Sequence, residues 1–369
     1  MDNLTHSLVG VVLSRAYFKD KAPLATTMLV LAANAPDIDV LISWHGIDYI
    51  AWHRNLTHSL LLLPVFMVLV ALLWRGLARW RMRDGKSWNR ERGTWRAAPE
   101  TRAMETLGAA AAPPRRRPEN PVSWRLGLWA GFLGVGSHLL LDWTNAYGIR
   151  LFSPFSGRWF ALDWMPIVDP WLWLILGIFL LLPMVLGLVG REIGSHSSRH
   201  RFSAILALVA LCAWWGFRAD MHARALAAIR RDPFPAAAGR SDAAIPTIAS
   251  PLLWNGIVNL PDRYYQGSVD APAESWVQAP AVIYKPEATP AILAAERTRI
   301  ARIFLQFARF PLAGYRRTAH HLTEVWITDL RFSQAGQPSR MGVRIWLTPQ
   351  LQVRGSRFGF GGGKTRPGR

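Results

Sequence analysis

The sequence predicts a mainly α protein: a polytopic helical membrane bundle with a small C-terminal α+β domain. Three observations point there. Long uncharged apolar runs fill the first part of the chain, basic segments sit between them, and after residue 217 the pattern changes to alternating apolar and polar residues. At 369 residues the chain is long enough for two domains. Residues 60–74, 170–190 and 202–217 carry no charge, and residues 124–145 are interrupted only by Arg125, His138 and Asp142. A helix needs roughly 20 residues to cross a bilayer, which 170–190 supplies alone and the others reach with flanking residues or tilt.

Taken in order, residues 4–18 and 22–36 predict a hairpin of two short helices turning at Lys19-Asp20-Lys21. No basic segment precedes this first apolar stretch, so a cleavable signal peptide is not expected. The hexapeptide Asn-Leu-Thr-His-Ser-Leu then occurs twice, at residues 3–8 and 55–60. Each copy opens an apolar run and is expected to place one histidine, His6 or His58, in a first helical turn capped by Asn or Thr. A histidine is an odd choice for a turn entering a membrane. Two such placements suggest metal ligands or proton carriers.

Residues 75–125 hold thirteen Lys/Arg against five acids, and the short 191–201 link is also basic. Positive segments beside spans mark the cytoplasmic side. The net charge of +19 is therefore assigned to membrane topology. No nucleic-acid partner is expected, because no recognisable binding fold accompanies the charge. Residues 97–121, rich in Pro, Arg and Ala, predict a flexible basic loop. The single cysteine, Cys212, excludes intrachain disulfides and a Cys-rich zinc site.

Residues 1–220 thus form the predicted membrane domain, with residues 221–250 as a helical continuation and Pro/Ala linker. Alternation at 254–270, 322–332 and 341–353 predicts strands, and the 3.6-residue period across 290–310 predicts one amphipathic helix. These make an α+β domain at 251–354, followed by a Gly/Arg tail, 355–369, expected to be disordered. His320 and His321 would face opposite ways on a strand and are expected to be surface residues.

With the basic loops inside, His6, Asp37, Asp39, His53, His58, His138, Asp142, Asp163 and Asp169 all fall at outer ends of helices. Ionisable groups in or beside membrane segments are costly and usually functional. His138 and Asp142 are four apart on one helical face, a natural imidazole–carboxylate clamp for zinc or a similar ion. Asp37 and Asp39 cannot face one direction on a helix. One is expected to bind metal while the other orients a histidine. His53 and His58 bracket Arg54, which would hold an anionic substrate group or balance a carboxylate. Asp163 and Asp169 are further ligand candidates, with helix capping the simpler role for Asp169. There is no Gly-x-Ser-x-Gly, no His-Glu-x-x-His and no Walker-type loop.

Several of these motifs together resemble a known family. Asn-Leu-Thr-His-Ser, Ala-Pro-Asp-Ile-Asp, His-Arg-Asn-Leu-Thr-His-Ser, Ser-His-Leu-Leu-Leu-Asp-Trp-Thr-Asn, Phe-Ala-Leu-Asp-Trp and Val-Asp-Pro-Trp are similar to the YdjM/YbcI family. Metal-dependent hydrolysis at the bacterial inner membrane is ascribed to that family. The resemblance covers roughly residues 1–220. The order His, Asp, His, His-x-x-x-Asp also resembles the zinc phospholipase C and single-strand nuclease superfamily. That likeness implies His6, Asp37, His53 or His58, His138 and Asp142 as ligands. The chain lacks the second downstream His-x-x-x-Asp/Glu clamp of that superfamily, so one or two ions are expected.

The resulting expectation is a multi-pass inner-membrane hydrolase with a divalent metal, zinc foremost, and an extracytoplasmic C-terminal domain. It would attack an ester or phosphoester of a lipid, envelope or other small molecule by metal-activated water, with Asp39 or Asp163 as base or orienting carboxylate. Membrane lipids are its expected partners. A metal or proton transporter using the same residues, and a structural membrane protein, are the alternatives.

Overall fold

The computed structural model describes residues 1–41, 46–83, 86–89, 94–97, 121–192, 200–235, 237–318, 320–334, 339 and 341–360. Most of the expected basic loop, residues 98–120, lies outside these, as do 193–199 of the basic link and 361–369 of the tail. The helices are α1 (Asn3–Leu13), α2 (Ala25–Asn34), α3 (Asp48–Trp52), α4 (Leu63–Arg83), α5 (Trp124–Thr144), α6 (Pro170–Glu192), α7 (His200–Arg231), α8 (Pro290–Glu296) and α9 (Arg299–Phe307). A short hairpin, β1 (Lys86–Asn89) and β2 (Thr94–Ala97), follows α4. The C-terminal strands are β3 (Ser241–Pro246), β4 (Leu253–Asn259), β5 (Arg263–Asp270), β6 (Ser275–Trp276), β7 (Ala281–Tyr284), β8 (Pro311–Arg317), β9 (Thr323–Asp329), β10 (Met341–Leu347) and β11 (Val353–Phe360).

Packing divides the chain into two compact units. One comprises Met1–Pro36, Leu60–Leu141 and Pro170–Cys212; the other comprises Asp37–Ser59, Asp142–Asp169 and Ala213–Arg369. The division therefore does not fall at residue 220. Two segments assigned by sequence to the membrane domain cluster with the C-terminal elements.

In the first unit the N-terminal hairpin forms as expected. The Asp2 side chain, rather than Asn or Thr, caps α1 by accepting from the Thr5 amide and hydroxyl. The α1 helix runs into a wider π turn, Ser14–Phe18. The Trp74 indole donates to the Pro23 carbonyl at 2.6 Å, tying α4 to the segment before α2. Gly127 and Gly131 put α5 close to α4: a Cβ at Gly131 would lie 2.6 Å from Met67 Cα, and one at Gly127 2.8 Å from Ala71 Cα. Small residues four apart are what close helix contact in a membrane demands.

Among the described residues, two helical segments are long and apolar enough to cross a membrane, Leu63–Met82 and His200–Arg231; Pro170–Val185 is a shorter apolar stretch. Only 22% and 28% of the two apolar windows are buried, unlike helices at the centre of a soluble core. Leu69, Leu72, Leu181, Val185 and Val209 are exposed large apolar side chains on α4, α6 and α7. Residues 124–145, expected as a span, carry Arg125, His138 and Asp142 and do not meet that standard.

The two identical hexapeptides fold differently. The first lies in α1. The second forms a 3₁₀ turn, Leu56–His58, and leaves it at an extended Ser59, with α4 starting only at Leu63. His58 is therefore not in the first turn of a helix, as the sequence suggested. The flanks decide this. Asp2 caps the first copy, whereas Arg54, at φ +59°, precedes the second. Pro64 favours a helix start beside it.

The second unit holds two antiparallel sheets, ordered β3-β4-β5-β6 with β7 also on β5, and β11-β10-β9-β8. Helices α8 and α9 cover the second sheet, burying Phe304 and Phe307 against Val325, Ile327, Val343 and Ile345. Thr298 caps α9 and breaks the single helix expected across 290–310. The first sheet packs on the C-terminal end of α7 through Met221, Ala225 and Ile229 against Trp254, Val258 and Val269. Two further expectations change. Strand β3 lies in the expected linker, and β11 continues through the first residues of the expected disordered tail, where it pairs with β10.

Ile47, Ile50 and Tyr147, from the two inserted segments, are buried in the same core as Phe304 and Phe307. Arg331 fastens one of these segments. Its guanidinium donates to Asp329, the Ala146 carbonyl and the Phe307 carbonyl, at 2.9, 2.8 and 2.8 Å.

Candidate metal centre

Asp37 and Asp39 lie on a 3₁₀ turn, Ala35–Leu41, that follows α2. Their two-residue spacing aims them apart, and they engage opposite nitrogens of one imidazole. His58 Nε2 is 3.3 Å from Asp37 Oδ1, and His58 Nδ1 is 3.4 Å from Asp39 Oδ2. Asp142, in the last turn of α5, brings its Oδ2 to 3.4 Å from His58 Nε2. His58 and Asp142 are fully buried.

These separations have chemical content. An N–H···O hydrogen bond closes to about 2.7–3.2 Å, and both contacts at Nε2 exceed that. Ligands bound tetrahedrally at about 2.0–2.2 Å from a zinc-sized ion stand about 3.3–3.6 Å apart. Asp37 Oδ1, Asp142 Oδ2 and His58 Nε2 are close enough together that they could hold a metal ion, and two carboxylates with an imidazole suit a divalent one.

Asp39 performs a different task. It accepts from His53 Nδ1 at 2.9 Å, the Arg54 amide at 3.2 Å and the Thr57 hydroxyl at 2.5 Å. Burial alone would raise its pKa, but the hydrogen bonds and charge of His53 and His58 outweigh it and hold the carboxyl well below its usual range. Burial pushes the His53 imidazole below its ordinary value despite Asp39. His53 also stacks on Tyr49, with centroids 4.5 Å apart. Asp39, His53 and His58 also bring a donor atom each within 4.8 Å of the others, a group that could hold a metal ion.

Arg54 is buried. It is 4% exposed, 3.0 Å from Asp142 Oδ1, and donates to Asn145 Oδ1 and the Gly148 carbonyl at 3.2 and 3.3 Å. Its guanidinium carbon lies 4.7 Å from the centre of the Tyr147 ring. Of the two roles the sequence left open, the geometry shows the balancing of a carboxylate. One Asp142 oxygen is tied to Arg54 and Asn145, at 3.0 and 3.3 Å, and the other is turned to His58.

In the first unit, His6 and His138 are fully buried and their rings stack at 3.8 Å, 18° from parallel. His138 Nδ1 lies 2.7 Å from the Ala33 carbonyl. A carbonyl can only accept, so Nδ1 carries a proton, and in the neutral ring Nε2 is then the nitrogen able to bind metal. His138 stands one helical turn before Asp142 on α5.

The remaining candidates have other partners. Both Asp163 oxygens accept from Arg309 at 2.8 Å, and Asp169 accepts from the Trp214 indole at 3.1 Å. His320 and His321 are exposed. Sequence reasoning passed over Asn145, Thr57 and Tyr147. Asn145 stands in the Asp-Trp-Thr-Asn motif three residues after Asp142, and its Oδ1 also accepts the Tyr147 and Gly148 amides at 2.8 and 3.1 Å. That position after a helical carboxylate was the available signal.

A family model described as YdjM inner membrane protein matches residues 1–223, which include each of these candidate ligands. No curated protein and no solved structure matches the chain.

Proposed function

The chain belongs to the YdjM inner membrane protein family, and from that premise we propose that it is a membrane-bound, metal-dependent hydrolase of ester or phosphoester bonds. The observation that carries this reading is the placement of His58 Nε2 at 3.3 and 3.4 Å from the carboxylates of Asp37 and Asp142. His138, four residues before Asp142 on α5, and His6, whose ring stacks on that of His138, are the further ligand candidates that the sequence names. A divalent ion, zinc foremost, would supply Lewis acidity and an activated water at neutral pH.

The chain's own residues supply the rest. Asp39 orients His53 and His58 and keeps a negative charge beside them. Arg54 neutralises one oxygen of Asp142, so the other points one way only. Buried aromatic neighbours keep bulk water out and strengthen each polar contact. The order of these residues supports a distant kinship with zinc phospholipase C enzymes, and the apolar helices support a lipid or envelope substrate.

The test is elemental analysis of the purified full-length chain beside His138→Ala/Asp142→Ala. About one or two zinc, manganese or iron ions per chain, lost in the double variant, is the expected result. A wild type that holds no metal after reconstitution sinks the reading.

The basic loops support a multi-pass arrangement with residues 251–354 outside the cytoplasm. Alkaline phosphatase fused after residue 360 is expected to be active, and fused within residues 98–120 inactive. The opposite pattern inverts the topology.

A further inference from the structure

The segment following α5 turns back on itself through an antiparallel bridge, in which Ile149 and Phe160 exchange both backbone hydrogen bonds at 2.9 Å. That register sets Arg150 across from Trp159, and the Arg150 guanidinium carbon lies 4.9 Å from the centre of the indole. Tyr147 meets the same indole edge-on, with centroids 5.8 Å apart. Three side chains from one short segment thus share one cluster.

Each carries a buried donor with nothing to donate to. Arg150 Nε, Trp159 Nε1 and the Tyr147 hydroxyl are inaccessible to solvent and without a hydrogen-bond partner among the described residues. Arg150 is only 8% exposed, and no carboxylate among the described residues pairs with it. Burial pulls its pKa down, and the only group opposing this is Tyr147, itself pushed above its ordinary value by burial. A buried donor left without an acceptor costs the fold free energy, and buried polar groups are nearly always satisfied. Three orphan donors of one kind, one of them a guanidinium, point to a missing acceptor of negative charge.

We propose that Tyr147, Arg150 and Trp159 form an oxyanion pocket that takes the phosphoryl group of the substrate. The pocket adjoins the candidate metal centre. The Arg150 amide donates to the Arg54 carbonyl at 3.1 Å, and the Tyr147 ring lies 6.5 Å from that of His53. Arg54 is committed to Asp142, which leaves Arg150 as the guanidinium for an incoming anion; planar bidentate contact with phosphate is what that group does best. The inference deepens the hydrolase reading and takes its purpose from it. Its chemistry, binding of an anion by orphan donors, is measurable without metal or turnover.

The experiment is calorimetric titration of the detergent-solubilised full-length chain with inorganic phosphate, and separately with micelles containing phosphatidate, both in excess chelator. The chains are wild type, Arg150→Met and Trp159→Phe. Wild type is expected to bind one of the two probes with a Kd of about 1 mM or tighter. Arg150→Met should weaken this about tenfold or more, and Trp159→Phe, which removes only an N–H, roughly two- to fivefold. Inorganic phosphate binding assigns a water-soluble phosphoester, and phosphatidate binding alone assigns a lipid headgroup. Without either probe, Arg150→Met should melt no lower than wild type, because an unpaired buried charge has been removed.

Binding of neither probe by wild type overturns the proposal, as does undiminished binding by both variants. Should Arg150→Met fail to fold, an unchanged Kd in Trp159→Phe overturns it. The two readings fail separately. Phosphate binding in a chain that never holds metal removes the hydrolase and leaves the pocket; metal-dependent turnover with no loss in the variants does the reverse.

Discussion

His58→Ala is expected to abolish hydrolysis and to weaken metal binding by more than about 100-fold, whereas Asp39→Asn should weaken it only about tenfold. The difference follows from position. His58 Nε2 faces Asp37 and Asp142 together, so without it the two carboxylates are left with no nitrogen donor between them. Asp39 touches the site through His53, His58 and Thr57, and asparagine keeps an oxygen with which to accept from them. What it loses is charge. Competition with a chromogenic chelator measures both affinities, and a chromogenic phosphodiester reads turnover. Equal losses in the two variants would assign Asp39 to the ligands themselves and favour the two-ion arrangement. No loss in His58→Ala would remove this site from the account.

Arg331→Ala should cost the second unit about 3–5 kcal/mol, the range for breaking a buried ion pair on one side. Arg331 and Asp329 have side chains 1% and 0% exposed, so no water reaches the carboxylate left behind. The same guanidinium satisfies the Ala146 and Phe307 carbonyls and lies 4.5 Å from the centre of the Phe307 ring. For a unit of this size, each kcal/mol is worth roughly 2–4 °C, so the melting temperature should fall by about 10 °C. Far-ultraviolet circular dichroism on heating measures it. Asp329→Asn/Arg331→Met removes both charges and is expected to recover much of the loss. A shift under about 2 °C in Arg331→Ala would mean that the pair contributes little.

Much of this was legible in the sequence because periodicity and spacing are local. The N-terminal hairpin, α6, the helical continuation of α7 and most C-terminal strands follow from runs and alternation. That Asp37 and Asp39 make different contacts follows from a spacing that fits no single helical face. The second hexapeptide shows the limit. Six identical residues predicted one structure and made two, because Asp2 is available to cap one copy while Arg54 is drawn to Asp142 and Asn145 in the other. Strand β3 was hidden by its Pro- and Ala-rich composition and exists through its partner β4. Strand β11 is glycine-rich and is held by β10. The burial of Ile47, Ile50 and Tyr147 was not legible at all, since short apolar patches in a polar segment give no sign of which distant core receives them.

That burial bears on how the chain can be divided. The family model ends at residue 223, an inviting place to truncate. Yet the segments carrying His53, His58 and Asp142 are folded into one compact unit with residues beyond 223, through Ile47, Ile50 and Tyr147 against α8, α9 and the second sheet. A chain cut at residue 223 would retain every candidate ligand and expose the apolar side chains that anchor the loops bearing them. The C-terminal region is thus no detachable module. Heating or proteolysis of that region should disarm the ligand-bearing loops in the same cooperative step that melts its sheets, even where the apolar helices of the first unit stay intact.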